Sequence, residues 1–360
     1  MLPVHVRQRN REDESAVQSS TTDGSSGLSA ADADRVAPDD ETARAAAERV
    51  HRKAMLNEAI RTERRAVLVV NTRSRSGRDL YGDAKRLLTG NGLYIEAAYP
   101  VRDPVRLPEI VQSAIAQGHK LIVVGGGDGT ISSVVDYFAY HDTVLGILPL
   151  GTANSFARTL GIPLDLAGAA EILTGGGKVA DVDLGRINDD YFANTAAIGL
   201  PALVGRNMPH NLKRYLGKLG YLLVGAAHFL RHKPFCVALT EGRRKIARID
   251  DALDILIANG SYQGGVLVAD EANLESHDLV IRIVKGPSRS NLLKTWLRPA
   301  RNNRASDFTE IIRASDLVIE TDPPHYVSID GEVVTRTPVR VSVARQALML
   351  MVPQGHEAVS

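Results

Sequence analysis

Three short, uninterrupted apolar runs organise the first half of the chain: Ala66-Val-Leu-Val-Val70, Leu121–Val124 and Val144–Leu148. Runs of this length without polar alternation predict strands buried on both faces, the pattern of a parallel sheet. Between them, Asp79–Leu88 and Pro104–Gln117 have helical length, and Gly92–Tyr99 supplies a further strand. The order β-α-β-α-β-α-β predicts a doubly wound parallel sheet, with ligands bound beyond the carboxyl ends of its strands.

After about Val179 the pattern changes to strand-like stretches separated by turns: Tyr191–Ala197, Phe235–Thr240, Ala252–Ala258, Leu279–Val284, Asp316–Glu320 and Val339–Val343. One helical stretch, Asn211–His232, interrupts them. This predicts a mainly antiparallel second domain that shares a cleft with the first. Before Ala66, residues 1 to about 40 are too polar to offset their ordering entropy and read as a disordered tail. Glu41–Arg65 reads as a peripheral helix. The expected division is therefore 1–65, a nucleotide-type α/β domain over 66–180, and a second domain over 181–343, with 344–360 returning to the first.

Composition narrows the function. The 360 residues carry 43 basic and 42 acidic side chains, so no global field recruits nucleic acid. The lone Cys236 excludes disulfide scaffolds and fits a reducing compartment, so the cytoplasm is expected. No amino-terminal segment resembles an export signal, and the apolar stretch Leu219–Leu230 is too short to span a bilayer.

The candidate chemistry lies in the three loops that follow the buried strands: Asn71–Gly77, Gly125–Thr130 and Pro149–Arg158. Each is small, polar and glycine-bearing, so backbone N–H groups can approach phosphate oxygens, and the following helix amino terminus favours an anion. Asn71, Ser74, Ser76, Gly77, Gly125, Gly126, Gly127, Asp128, Gly129, Thr130, Gly151, Thr152 and Asn154 are the expected nucleotide contacts, with Arg73, Arg75 and Arg78 able to add charge. The segment fits neither G-x-G-x-x-G, because Thr130 takes the last glycine position, nor the P-loop, because Gly146–Thr152 lacks its lysine. A carboxylate amid phosphate-binding amides repels the ligand unless a metal intervenes, so Asp128 is expected to organise Mg²⁺.

Gly126-Gly-Asp-Gly-Thr130 followed by Pro149-Leu-Gly-Thr-Ala-Asn154 resembles the diacylglycerol-kinase catalytic family, which includes bacterial lipid kinases and sphingosine and ceramide kinases. Asp183-Leu-Gly185, Tyr191–Gly199 and Ile329-Asp-Gly-Glu332 extend the resemblance over about Ala66–Pro353. It implies an NAD kinase-like α/β domain followed by a β-sandwich, with a last strand near Ala347–Val352 returning to the first domain. It also implies ATP between the domains and phosphoryl transfer to a lipid hydroxyl, with diacylglycerol the first choice of acceptor. Sphingoid bases and ceramide, an NAD kinase and a non-catalytic nucleotide- or lipid-binding regulator are the alternatives. By the same likeness Glu332 is the general base with Asp330 beside it, and Asp183 joins Asp128 in the magnesium network. From spacing alone, Asp330-Gly331 between Tyr326–Ile329 and Val333–Val334 reads as a hairpin turn.

Three departures from the family pattern stand out. Ser155 replaces an aspartate, Asn273–Asp278 replaces a Leu-Asp-Asp-Gly loop that holds a structural Mg²⁺, and Tyr99-Pro100 replaces a nucleotide-contacting threonine. Outside the resemblance, His228 and His232 share a helical spacing, and Asn259-Gly-Ser261 is a glycosylation sequon expected to be silent. Lys213, Arg214, Lys218, Arg231 and Lys233 are expected to meet anionic head groups, a peripheral membrane contact.

Overall fold

The computed structural model describes residues 40–200, 229, 232–263, 266–267, 269, 272–288, 290–292, 308–330 and 332–356. The helical stretch expected over Asn211–His232, with Lys213, Arg214, Lys218, Arg231 and His228, therefore lies outside the described residues except at Phe229 and His232; the fifth basic residue, Lys233, is described and exposed. The first half alternates as the apolar runs predict: α1 (Asp40–Glu63), β1 (Arg65–Asn71), α2 (Arg75–Gly90), β2 (Tyr94–Val101), α3 (Leu107–Ala116), β3 (Leu121–Gly126), α4 (Asp128–Phe138), β4 (Val144–Pro149), α5 (Ser155–Thr159) and α6 (Leu166–Glu171). β1 pairs in parallel with β2 and β3, and β3 with β4. Every residue of β3 and β4 is buried, which is why both read as apolar runs without alternation.

α2 begins four residues earlier than its apolar pattern suggests. Ser74 caps it by accepting the Gly77 N–H at 3.0 Å, so the polar residues Arg75 and Ser76 form the first turn.

The second half contains β5 (Gly177–Ile187), β6 (Asp190–Phe192), β7 (Thr195–Gly199), β8 (Phe235–Glu241), β9 (Arg244–Ala258), a two-residue ladder of β10 (Tyr262–Gln263) with β11 (Val266–Leu267), β12 (Leu279–Lys285), β13 (Thr309–Ala314), β14 (Asp316–Asp322), β15 (Tyr326–Ile329), β16 (Glu332–Arg336) and β17 (Val339–Pro353). Apart from the β17–β4 contact, its ladders are antiparallel. Ile198, Phe235, Leu239, Ile255, Ile257, Ile281, Ile319 and Val341 form its core.

β17 corrects the expectation of two separate strands, Val339–Val343 and Ala347–Val352. A single strand runs through both, irregular between Ala344 and Leu348, where Gln346 takes φ +47°. Its first part pairs with β14 and its Leu350 meets Leu145 of β4, so one strand ties the parallel sheet to the antiparallel one.

β5 has one edge open along Gly177–Asp181, and α1 covers it. Residues four apart on α1 meet alternate residues of the strand: Arg49 and Lys53 hold Asp181 at 2.8 and 2.6 Å, Asn57 accepts the Val179 N–H, and Arg61 reaches the Gly177 carbonyl. Desolvation opposes the charge on Asp181, yet these two cations hold its carboxyl below the usual carboxylate range. The peripheral helix is thus an edge cover that removes a site for strand addition.

Candidate active site

The loops after β1, β3 and β4 pack directly against one another. Asn71 donates to the Thr130 hydroxyl at 2.9 Å and accepts the Arg73 N–H, joining the first loop to the second. Gly127 and Gly151 stand back to back: a Cβ on Gly151 would lie 2.4 Å from the Gly127 Cα. A Cβ on Gly126 would strike the Thr130 side chain, and one on Gly77 the Asn71 carbonyl. Gly129 alone among these faces open space, at the amino terminus of α4, where a helix favours an anion. Most of the glycines therefore let the loops close on each other rather than let a ligand approach.

The other polar residues divide in the same way. Asn154, buried in the left-handed region at φ +49°, spends its side chain inside its own loop, on the Pro149 and Gly151 carbonyls and the Gly151 N–H. Arg73, Ser76 and Thr152 are exposed on the rim. Thr72, which the sequence reading passed over, is buried with a hydroxyl that has no hydrogen-bond partner among the described residues.

Asp128 opens α4, and its carboxylate accepts the Phe156 N–H at 3.3 Å and the Ser155 hydroxyl at 3.4 Å. The Ser155 departure acts here. A second carboxylate at that position would face Asp128 and require a cation between them, whereas the hydroxyl donates and satisfies it directly.

From the other half of the molecule, Asp330 meets this cluster. It occupies the turn between β15 and β16, where Ile329 pairs with Glu332, and its φ of +46° suits a two-residue hairpin. The turn is also chemical: the Asp330 N–H donates to the Thr195 carbonyl at 3.0 Å, and its carboxylate accepts the Thr195 N–H at 3.4 Å and a hydrogen bond from Ser132 of α4. Its pKa is pushed up to about 6, chiefly by burial and in smaller part by Asp128 and Glu332, against the Ser132 and Thr195 donors. Asp128 and the exposed Glu332 thus stand near enough to Asp330, across the two halves, for their charges to act on it. Ser132 and Thr195 were missed because nothing in their neighbourhoods marks a contact with a residue as far along the chain as Asp330, 135 positions from Thr195.

Asp183 is not brought to that cluster. It is 1% exposed, and its carboxylate accepts the His277 N–H at 2.9 Å, the Gln346 N–H at 2.6 Å and the His277 ring at 2.9 Å. Both oxygens thus take donors from the 273–278 loop and β17. These are the contacts that the structure gives the residue expected in the magnesium network. Among the described residues no three His, Cys, Asp or Glu side chains are grouped to hold a metal.

Two other candidates change as well. His232 is buried, with Nε2 2.5 Å from the Leu253 carbonyl and its ring edge on Phe235. Asn259 is 1% exposed and donates to the Asp183 and Ala193 carbonyls, which leaves its sequon no access to a glycan. No described helix is long and apolar enough to cross a membrane.

Comparison with known proteins agrees with this architecture. The profile described as "Diacylglycerol kinase catalytic domain" matches residues 65–187, and that described as "YegS C-terminal NAD kinase beta sandwich-like domain" matches 194–352. A Pseudomonas aeruginosa protein named "Probable lipid kinase YegS-like" is 33% identical over 252 residues, 68% of this chain and 81% of that one. A Mycobacterium tuberculosis protein named "Diacylglycerol kinase" is 28% identical over 256 residues, 68% of this chain and 81% of its own. A crystal structure described as a diacylglycerol kinase from Bacillus anthracis str. Sterne superposes with a TM-score of 0.64 over 81% of this chain and 98% of the other; at 20% identity it speaks to the fold alone. The chain belongs to the diacylglycerol-kinase catalytic-domain family of lipid kinases, with an α/β domain and a β-sandwich-like domain.

Proposed function

We propose that this protein transfers the γ-phosphoryl group of ATP to the hydroxyl of diacylglycerol, giving phosphatidic acid and ADP. The observation that carries the reading is the meeting of Asp330, on a hairpin of the second half, with Ser132 of the helix that opens at the phosphate loops. The α/β domain, taken as 66–180 with the 344–360 return, would hold ATP at the Gly125–Thr130 and Asn71–Gly77 loops. The sandwich, taken as 181–343, would present the lipid, and the contact with an anionic bilayer is peripheral.

Phosphoryl transfer needs positioning, charge neutralisation and a proton acceptor more than covalent chemistry. Glu332 is exposed and takes the proton of the attacking hydroxyl. Asp330 anchors the hairpin to Thr195 and so sets where Glu332 stands. The α4 amino terminus faces the phosphates. Asp128 suits Mg²⁺, an ion that takes one or two carboxylates and fills its remaining positions with phosphate oxygens and water. When bound, the ion neutralises charge on the β- and γ-phosphates. Asp183 belongs to the scaffold.

The test is purified protein with labelled ATP, Mg²⁺ and mixed micelles of diacylglycerol, ceramide or sphingosine. Label in phosphatidic acid is expected, with Glu332→Ala lowering kcat by about 10³-fold at unchanged thermal stability. Label in another lipid would reassign the acceptor, label in none would overturn the reading, and full activity in the alanine variant would remove Glu332 as the base.

A further inference from the structure

Two adjacent serines on α4 use their hydroxyls differently. Ser133 donates to the Thr130 carbonyl at 2.8 Å, the usual recourse of a serine inside a helix, which turns its hydroxyl back on the preceding turn. Ser132, half-buried, gives its hydroxyl instead to the Asp330 carboxylate on the β15–β16 hairpin. It stands four residues after Asp128, so the two share one face of the helix.

The hydrogen bonds of Asp330 fall into two kinds. Its N–H donates to the Thr195 carbonyl at 3.0 Å and its carboxylate accepts the Thr195 N–H at 3.4 Å. Both continue the antiparallel pairing of β15 with β7, in which Ile329 lies opposite Ala196, so they fix the hairpin within its own sheet. The bond from Ser132 crosses instead to the helix whose amino terminus borders the phosphate loops, with open space at Gly129. Of these bonds, the one from Ser132 therefore sets the place of the hairpin relative to α4. Glu332, paired with Ile329 across the turn, moves with the hairpin.

Resting on the lipid-kinase reading, we propose that Ser132 is a positioning residue: by holding Asp330 it fixes how Glu332 meets an acceptor hydroxyl beside the α4 amino terminus. It acts through Asp330 rather than on the reacting atoms. The bond also bears on the charge of Asp330. Burial most of all, and then the facing acids Asp128 of α4 and Glu332 of β16, favour the protonated carboxyl, whereas the Ser132 hydroxyl and the Thr195 N–H favour the carboxylate. Removing the Ser132 donor therefore both frees the hairpin from α4 and raises the proton affinity of Asp330.

The experiment measures kcat and KM against pH for the wild type, Ser132→Ala, Ser132→Thr and Ser133→Ala. It uses labelled ATP, Mg²⁺ and mixed micelles of the acceptor that the wild type labels among diacylglycerol, ceramide and sphingosine. Ser132→Ala is expected to lower kcat about 10- to 100-fold, the cost of a reacting group misplaced by about 1 Å, with the KM for ATP within about twofold of the wild type. The acid limb of its kcat profile should move up by about one pH unit, the worth of one hydrogen bond to a charged group. Ser132→Thr, which keeps the hydroxyl, should recover most of the rate, and Ser133→Ala should match the wild type throughout. Independently of turnover, an NMR titration of aspartate carboxyl carbons, with the Asp330 resonance identified by its loss in Asp330→Asn, should show the same rise in Ser132→Ala and none in Ser133→Ala. A kcat within about twofold of the wild type, an unmoved acid limb or an unchanged Asp330 titration in Ser132→Ala overturns the role of Ser132 and leaves the kinase reading standing. Label in no lipid overturns that reading and this role with it.

Discussion

Asp183 and Asp254 are buried carboxyls on strands of one continuous sheet, and their surroundings differ sharply. Asp183 stands where β5, the 273–278 loop and β17 meet, supplied with donors by His277 and Gln346. Asp254 stands on the acceptor side among leucines, with one oxygen unserved among the described residues and its pKa pushed up by burial to about 7, Arg282 opposing. A buried acid with all its hydrogen bonds made is structure, and it strengthens the fold. A buried acid kept short of donors weakens the fold. The same contrast separates the Asn154 loop, whose polar atoms are spent on itself, from Asp330, whose proton affinity is raised beside the site.

The largest effect expected from breaking this contrast is on Asp183. Asp183→Ala leaves the His277 and Gln346 N–H groups without their acceptor, and urea unfolding should show a loss of about 3 kcal/mol. Added Mg²⁺ should not restore it, since the carboxylate serves donors rather than a metal. A loss below about 1 kcal/mol would mean that Asp183 is not the pin described. Restoration by Mg²⁺ would return it to the metal network.

Asp254 should respond with the opposite sign. The folded carboxyl holds its proton to about pH 7, whereas its ordinary value is 3.8, so the folded state binds more protons between those limits. Stability from this group is therefore highest at acid pH, falls through that window and is level above it. Asp330, raised to about 6, adds a smaller fall of the same sign, while Asp181, held low by Arg49 and Lys53, contributes stability that is lost only in acid. Asp254→Asn should accordingly raise Tm by several degrees at about pH 8 and by little at about pH 5. A lower Tm at the higher pH would show that the charge is served in solution.

The part of this contrast that was legible in the sequence follows from where the partners lie. β1, β3 and β4 declared themselves because burial on both faces leaves no polar position to confuse the pattern. Their loops did so because Gly127 and Gly151 must touch, and only glycine allows it. β5 was missed: Lys178, Asp181 and Asp183 break its apolar pattern, and the residues that hydrogen-bond the two acids sit on α1 and at His277, far along the chain. The bend at Gln346 likewise made β17 read as two strands. The Asp330 hairpin was readable as a turn, but its contacts with Ser132 and Thr195 needed the fold. Asp254 did leave a local trace, a lone acid within Ala252–Ala258, which registers as meaningful only once its lack of a donor is seen.

The smallest expected effect sharpens the comparison at the phosphate loops. Ser155 now serves Asp128 much as His277 serves Asp183, a protein donor in a place where a cation could otherwise stand. Ser155→Asp would set two carboxylates against each other, which is tolerable only with a cation between them or a proton on one. In the absence of Mg²⁺ the variant should lose about 1–2 kcal/mol of stability. Mg²⁺ should recover that loss and give the variant a larger Mg²⁺-dependent rise in Tm than the wild type shows, a readout that does not depend on turnover. If Mg²⁺ shifted both proteins equally, Asp128 would not lie at the metal, and the ion would be held through the nucleotide alone.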